Sequence, residues 1–443
     1  MAQNKQIIFQ RDLLANLIKL IGRKEIFAIR GPRQSGKTTL LHLIKDYLKD
    51  VGKIPGTNIV LITLEDRDIL EKLENNVKSF VSNIIERADN KHKIYFLIDE
   101  VQYLSEAGQK LKLIFDLFNE QVKLIVTGSS SLELKNHTAK YLVGRVFSFN
   151  LWPLSFSEFL KVNIDFFKTW EKNHNSVFDF LAGNKNFKIP IKDIWQKDLE
   201  KQFEKYVIWG GYPEVIKVKD KIVKQSILKN IYDTYINRDI VDLLRLKSVN
   251  SFRNGVKLLA AEVGNLINYN NLANDAQVYF QELKQYISIL EETYILYFLK
   301  PYFKNATSEI KKNPKVYFID SGLRNYIVNN FNPLSQRSDK GALVESFVFS
   351  ELLKVVSDQD QGELKYWRTI VKAEVDFILE KRNREVIPIE VKYSPFQEAK
   401  ISRSFRSFLE QYQPKRALVL TKGFWGEKKI GKTTIKFAPV WYL

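Results

Sequence analysis

The sequence contains no cysteine. That excludes disulfides, thiolate metal centres and cysteine nucleophiles together, and it suits a cytoplasmic protein. It also lacks any run of roughly eighteen apolar residues, so no membrane span is expected. The opening stretch Met1 to Asp12 is polar and has no apolar core of the kind a secretory signal needs. No internal repeat or low-complexity tract stands out. Acidic residues are in the minority, 51 against 69 basic, for a net charge of +18. Such an excess points to nucleic acid, and DNA is the expected partner. A lysine-rich surface that serves solubility is the alternative. The excess is not concentrated, since residues 335–443 carry 20 basic and 14 acidic side chains. Charge therefore suggests a partner without locating its site.

What is present is an ordinary globular composition, 45% apolar and 27% charged, over a length that calls for two or three domains. From residue 24 to about 150, short apolar runs alternate with helical patterns as in βαβ units. The runs are Ile26–Arg30, Ile59–Leu64, Ile94–Ile98, Leu124–Thr127 and Val146–Phe149. They predict a parallel sheet with helices on both faces. Residues 161–205 are poor in glycine and lean helical, as an insertion or lid would. The breaker Trp209-Gly-Gly-Tyr-Pro213 opens a helical stretch, and residues 251–320 add short helices before apolar runs at Tyr294–Tyr302 and Lys315–Asp320. Helices closed by a β-pair fit a winged helix, and a plain helical connector fits equally. From Gly341 the order becomes αβββαβ: a helix to Val355, strands near Leu364–Arg368, Glu374–Leu379 and Val386–Tyr393, a helix near Phe396–Tyr412, and a strand at Arg416–Thr421. The expected class is α/β in three domains. Residues 1–205 form the parallel-sheet domain with the 161–205 insertion, 206–334 a helical or winged-helix-like domain, and 335–443 the αβββαβ unit.

Gly31-Pro32-Arg33-Gln34-Ser35-Gly36-Lys37-Thr38, followed by Thr39, satisfies the phosphate-binding pattern G-x-x-x-x-G-K-[ST]. Its setting, between a buried-strand run and a helix, gives the match its meaning. There the loop amides and the helix's positive end face the phosphates of a nucleoside triphosphate, with ATP expected. Lys37 reaches the β- and γ-oxygens, and the Thr38 hydroxyl ligates magnesium. A second match, Gly426-Glu-Lys-Lys-Ile-Gly-Lys-Thr433, is followed by strand-like sequence and a proline. Lacking a helix N-terminus, it is rejected. The apolar strand Ile94–Ile98 ends in Asp99 and Glu100. Asp99 is placed to hold magnesium and Glu100 to polarise the attacking water, an arrangement for hydrolysis. Thr127 and Ser129, at the end of the next strand, are candidate sensors of the γ-phosphate. Arg145 is a candidate arginine finger for a neighbouring subunit, which would imply a homo-oligomer; a structural arginine in a turn is the alternative. No guanine-reading N-K-x-D run was found.

The αβββαβ unit carries a second constellation. Glu345 lies on its first helix, Asp376 on its second strand, and Glu390 and Lys392 on its third. Alternation along a strand puts Glu390 and Lys392 on one face, and Asp376 can point the same way from the neighbouring strand. Glu345, Asp376 and Glu390 would bind magnesium while Lys392 prepares the attacking water, the equipment for cutting a phosphodiester bond. A nuclease core that binds without cutting is the alternative.

With those motifs in view, the chain resembles a large prokaryotic family of ATP-binding proteins, in which an AAA-type ATPase domain precedes a C-terminal DUF4143 domain with a restriction-endonuclase-like end. The resemblance spans nearly the whole length. It rests on Gly31–Thr39, Leu97–Tyr103, Thr127–Ser131, Gly144–Phe149, Trp152–Phe159, Gly210–Glu214, Tyr317–Gly322, Gly341–Glu345, Glu374–Phe377 and Ile389–Lys392. It implies kinship with archaeal-type and signalling P-loop ATPases, and with it a winged helix in the middle. Residues 161–205 look longer than the family pattern requires. Two functions follow as expectations. One is a DNA-associated, magnesium-dependent ATPase whose nucleotide state gates a nuclease-like domain. The other is a nucleotide-dependent switch or adaptor that binds a protein or DNA and cuts nothing. A small-molecule kinase is a weak third, because no acceptor-binding or lid signature is evident.

Overall fold

The structure, a computed structural model, describes residues 8–128, 141–184, 187–190, 193–236, 249–303, 313–359 and 362–443. Chain contacts divide it into two units. The first comprises residues up to Pro153 with Thr234–Leu243 and Glu292–Ile295; the second holds the rest, from Leu154 to Leu443.

In the first unit five parallel strands run β1 (Ile26–Arg30), β2 (Ile59–Thr63), β3 (Ile94–Asp99), β4 (Val122–Gly128) and β5 (Val146–Asn150), in the sheet order β2-β3-β4-β1-β5. The helices are α1 (Asp12–Leu20), α2 (Lys37–Asp50), α3 (Arg67–Asn75), α4 (Val77–Arg87) and α5 (Ala107–Phe118). Strand alternation sorts the core into two layers. Ile26 and Ala28 of β1 face Leu73 of α3, Val81 of α4 and Leu111 of α5. Phe27 and Ile29 face Leu13 and Leu17 of α1 and Leu40, Leu41 and Ile44 of α2. Each such fully buried side chain stabilises the fold by about 1.5–3 kcal/mol. A continuous apolar run in β1 follows from burial on both faces. The consequence for function is the position of β4: it separates β1, which leads into Gly31, from β3, which ends at Asp99.

The second unit begins with helices α6 (Phe156–Asn163), α7 (Phe167–Ala182), α8 (Gln196–Trp209), α9 (Pro213–Lys217) and α10 (Lys221–Thr234). Residues expected to be an insertion of the ATPase domain thus pack elsewhere. Trp170 of α7 donates its indole N–H to the Trp441 carbonyl (2.8 Å). Next come α11 (Val249–Ala261), α12 (Tyr269–Asp275), α13 (Phe280–Glu292) and the hairpin β6 (Leu296–Leu299) and β7 (Lys315–Phe318). Leu266 bridges Lys315 on the free edge of β7. A short helix α14 (Ser321–Ile327) leads to α15 (Lys340–Gln359).

A six-stranded mixed sheet completes this unit: β8 (Glu363–Arg368), β9 (Glu374–Glu380), β10 (Val386–Lys392), β11 (Arg416–Thr421), β12 (Gly426–Ile430) and β13 (Thr433–Pro439), in the order β12-β13-β11-β10-β9-β8. Helix α16 (Arg403–Tyr412) covers one face through Phe405, Phe408 and Leu409. It starts later than Phe396 because the Ser402 hydroxyl caps it, accepting from the Phe405 N–H. The rejected second loop is a hairpin: Ile430 pairs with Thr433 across Gly431 at φ 54° and Lys432. Gly431 supplies the left-handed conformation that such a tight turn needs. No described helix is long and apolar enough to cross a membrane.

Candidate functional site

The loop after β1 is shaped by two glycines. A Cβ on Gly31 would lie 2.1 Å from the Leu151 carbonyl oxygen, and Gly36 sits at φ 98° where α2 begins. Lys37 is buried and folds over the loop, donating to the carbonyls of Gly31 (3.1 Å) and Pro32 (3.0 Å). Among the described residues no side chain caps the first turn of α2, and none partners the fully buried Ser35 hydroxyl. Amides at a helix start and an unsatisfied buried hydroxyl fit an anion supplied from outside the chain. Arg11 braces the loop from below: its guanidinium donates to the carbonyls of Ser35 and Trp152, both at 2.6 Å.

Across β4 stands the carboxylate end of β3. Asp99 is buried and accepts from the Thr38 hydroxyl at 2.6 Å and from the Thr127 hydroxyl. Thr127 in turn accepts the Glu100 N–H at 3.1 Å. One chain of hydrogen bonds therefore runs from the helix start through Asp99 to Glu100. Glu100 adopts φ 57°, costly for a residue with a Cβ, and Gln102 donates its side-chain amide to the Glu100 carboxylate. Strain of this kind collects at functional sites. Thr127 is fully buried and engaged on both sides, by Asp99 and by the Glu100 N–H. Ser129 lies outside the described residues. Arg145 stands at the opposite edge of the sheet, just before Val146, which pairs with the first residue of β1. Its guanidinium is held by Asp116 of α5 at 2.8 Å.

In the second unit, continuing the register past Ile389–Phe377 puts Glu390 opposite Asp376. Val391 donates its N–H to Asp376 at 2.7 Å. Glu390 is buried; it accepts from Ser402 at 2.6 Å and lies 3.3 Å from the Lys392 ammonium, while its other oxygen has no partner among the described residues. Glu345 accepts from Lys315 (3.0 Å) and Tyr317 (2.5 Å), and Lys315 also pairs with Glu374 (2.5 Å). Burial and the charge of Glu345 push the Asp376 carboxyl up to about 7. Burial opposes the charged form of Lys315, but Glu345, Glu374 and Asp376 outweigh it and hold its ammonium above the ordinary lysine value. Lys392 is raised in the same way by Glu390, Asp376 and Glu345, against burial. The four residues singled out in the sequence thus share one electrostatic neighbourhood. They do not form the expected set of ligands: among the described residues no three carboxylates or imidazoles are arranged to hold a metal ion. Glu345 is turned to Lys315 and Tyr317 instead.

Family matches follow the same division of the chain. Residues 23–160 match an AAA domain, 200–334 a domain of unknown function, DUF8612, and 340–443 a domain of unknown function, DUF4143. The chain is an AAA-domain protein with a C-terminal DUF4143 domain. An uncharacterised Haemophilus influenzae protein is 25% identical over 99% of this chain and all of its own length. An uncharacterised Methanocaldococcus jannaschii protein is 26% identical over 87% of this chain and 82% of its own. Among solved structures, the Aeropyrum pernix ORC1 protein in complex with DNA aligns with 73% of this chain and 92% of its own, at 12% identity and a TM-score of 0.28. AMPPCP-bound DnaA from Aquifex aeolicus aligns with 63% of this chain and 86% of its own, at 14% identity and a TM-score of 0.30.

Several residues that the structure brings to the two sites have no role assigned by the sequence. Arg11 is a lone arginine in a polar segment, and Gln102 follows the carboxylates without a pattern of its own. Lys315 and Tyr317 precede the DUF4143 match, yet they meet its Glu345. Other motifs turn out to be structural. Asp320 accepts from the N–H groups of Gly211 (2.7 Å) and Leu323 (2.9 Å), joining Gly210–Glu214 to Tyr317–Gly322. A Cβ on Gly210 would lie 2.2 Å from that carboxylate.

Proposed function

We propose that the protein is a magnesium-dependent ATPase, associated with DNA, whose nucleotide state governs its C-terminal domain. The observation that carries this reading is the hydrogen-bonded chain Thr38–Asp99–Thr127–Glu100 facing the loop closed by Lys37. The loop amides and Lys37 bind and orient the triphosphate. Thr38 and Asp99 would hold magnesium, which supplies charge neutralisation at the phosphates. Glu100, fixed by Thr127 and Gln102, orients the attacking water and draws its proton. A γ-phosphate that reaches Thr38 disturbs the Asp99–Thr127 bond, so nucleotide state is felt at Glu100. Arg145, paired with Asp116 on the opposite edge, has no part in this chain's own site.

DNA association is supported by the +18 charge and by the order α11, Leu266, α12, α13 and hairpin, which fits a winged helix. Gln281, Lys284, Gln285 and Ser288 form one exposed face of α13, a set suited to base edges. Of the two readings for the C-terminal domain, gated cleavage or binding without cleavage, the second is favoured by Glu345 being held by Lys315 and Tyr317 rather than by a ligand set. Phosphate release from ATP by the full chain tests the main proposal. Wild type turns over with magnesium, and Lys37→Ala does not. Equal release by both would overturn it. Incubation with plasmid and manganese separates the two C-terminal readings. Nicking that Lys392→Ala abolishes would restore the gated nuclease.

A further inference from the structure

Lys315 opens β7 with its side chain only 2% exposed. Its ammonium lies between Glu345 of α15 and Glu374 of β9, at 3.0 and 2.5 Å. Each carboxylate has one further donor, the Tyr317 hydroxyl for Glu345 and Arg368 at 2.7 Å for Glu374. Asp376 follows Glu374 by two residues on the same strand and shares its face. Carboxylates brought from separate elements to one buried point repel one another unless a cation stands between them. Two carboxylates freed of that cation, Glu345 and Glu374, are oxygen donors of the kind that magnesium, calcium or manganese takes, with water completing the shell. Here the point is filled by an ammonium that arrives from outside the DUF4143 match.

The charge count agrees. Glu345, Glu374 and Glu390, with Asp376 where it is ionised, bring at most four negative charges, and Lys315, Arg368 and Lys392 bring three positive ones, leaving no more than one negative charge. A divalent ion would meet a nearly neutral cluster and the repulsion of an ammonium a few ångströms away. Without Lys315 the balance is more negative by one charge, and the oxygens of Glu345 and Glu374 that it holds are released.

We propose that this cluster is a cation site whose resident cation is the ammonium of Lys315, and that the ammonium keeps divalent metal out.

The test is a manganese titration of the full chain without nucleotide, so its outcome is independent of the ATP reading. Lys315→Met binds one more Mn2+ per chain than wild type, with Kd on the order of 0.1–1 mM, the range of weaker protein cation sites. Adding Glu345→Gln removes that extra ion, and Lys315→Arg, which keeps the charge, behaves as wild type. Equal binding by wild type and Lys315→Met overturns the proposal, as does an extra ion in Lys315→Arg. Should Lys315→Met fail to fold alone, Mn2+ must restore its circular dichroism and raise its Tm, as any ligand bound only by the folded state does. Failure of that rescue also counts against the proposal.

Discussion

Replacing Thr127 by valine keeps the side chain's shape and removes its hydroxyl alone. In this structure that hydroxyl donates to Asp99 and accepts from the Glu100 N–H at 3.1 Å, all within a fully buried position. Loss of the bond to a charged carboxylate costs about 1.5–3 kcal/mol, and leaving the Glu100 amide unsatisfied costs about 1–3 kcal/mol more. Part of this is recovered when Asp99 shifts toward Thr38. If roughly 2 kcal/mol persists in the transition state, kcat falls about 30-fold. The phosphates are held by the loop after β1, so KM for ATP changes less than about threefold, the pattern of an interaction that matters only in the transition state. Steady-state phosphate release, with far-ultraviolet circular dichroism to check the fold, measures both constants. Thr127→Ser retains the hydroxyl and recovers most of the rate. Wild-type turnover in Thr127→Val would refute the positioning role, and so would a Thr127→Ser variant as slow as the valine.

Two further outcomes follow from the geometry. Arg11→Ala frees the Ser35 carbonyl from its brace. Loss of charged hydrogen bonds worth about 1.5–3 kcal/mol loosens the loop and raises KM for ATP roughly tenfold, with kcat less affected, as read from saturation curves. His174 is drawn down to about 4 by burial, against the pull of the Tyr442 carbonyl. Its pKa lies below the unfolded value, so the unfolded chain binds more protons as pH falls from about 6.5 to about 4, and stability is lost across that window. Discounted for partial exposure, the loss is about 2 kcal/mol. The Tm of wild type should drop between pH 7 and pH 4.5 by several degrees more than that of His174→Phe, which keeps the ring and cannot titrate.

Much of the AAA domain was legible because its signals are local. Ile26–Arg30 followed by Gly31–Thr38 joins strand, loop and helix start within thirteen residues, and a buried parallel strand writes itself as an unbroken apolar run. The same holds for Asp99 and Glu100 at the tip of β3. What could not be read is which core receives a helix. The helical lean of residues 161–205 is readable, but only tertiary contact, such as that of Trp170 with the Trp441 carbonyl, assigns α7 to the second unit. The candidate metal set failed for a similar reason. Glu345, Asp376 and Glu390 sit on the expected elements, yet the partner of Glu345 is Lys315, from a hairpin that gave no chemical signal. Strand β12 was missed because Gly426–Thr433 was weighed only as a phosphate loop.

The central claim is that one site both holds ATP and hydrolyses it through Glu100. Its most direct test is paired measurement of ATP binding and phosphate release in Glu100→Gln with magnesium present. Binding within a few-fold of wild type, with turnover reduced at least about 100-fold, is the predicted result. Turnover at the wild-type rate, in a variant that binds ATP normally, would contradict the account.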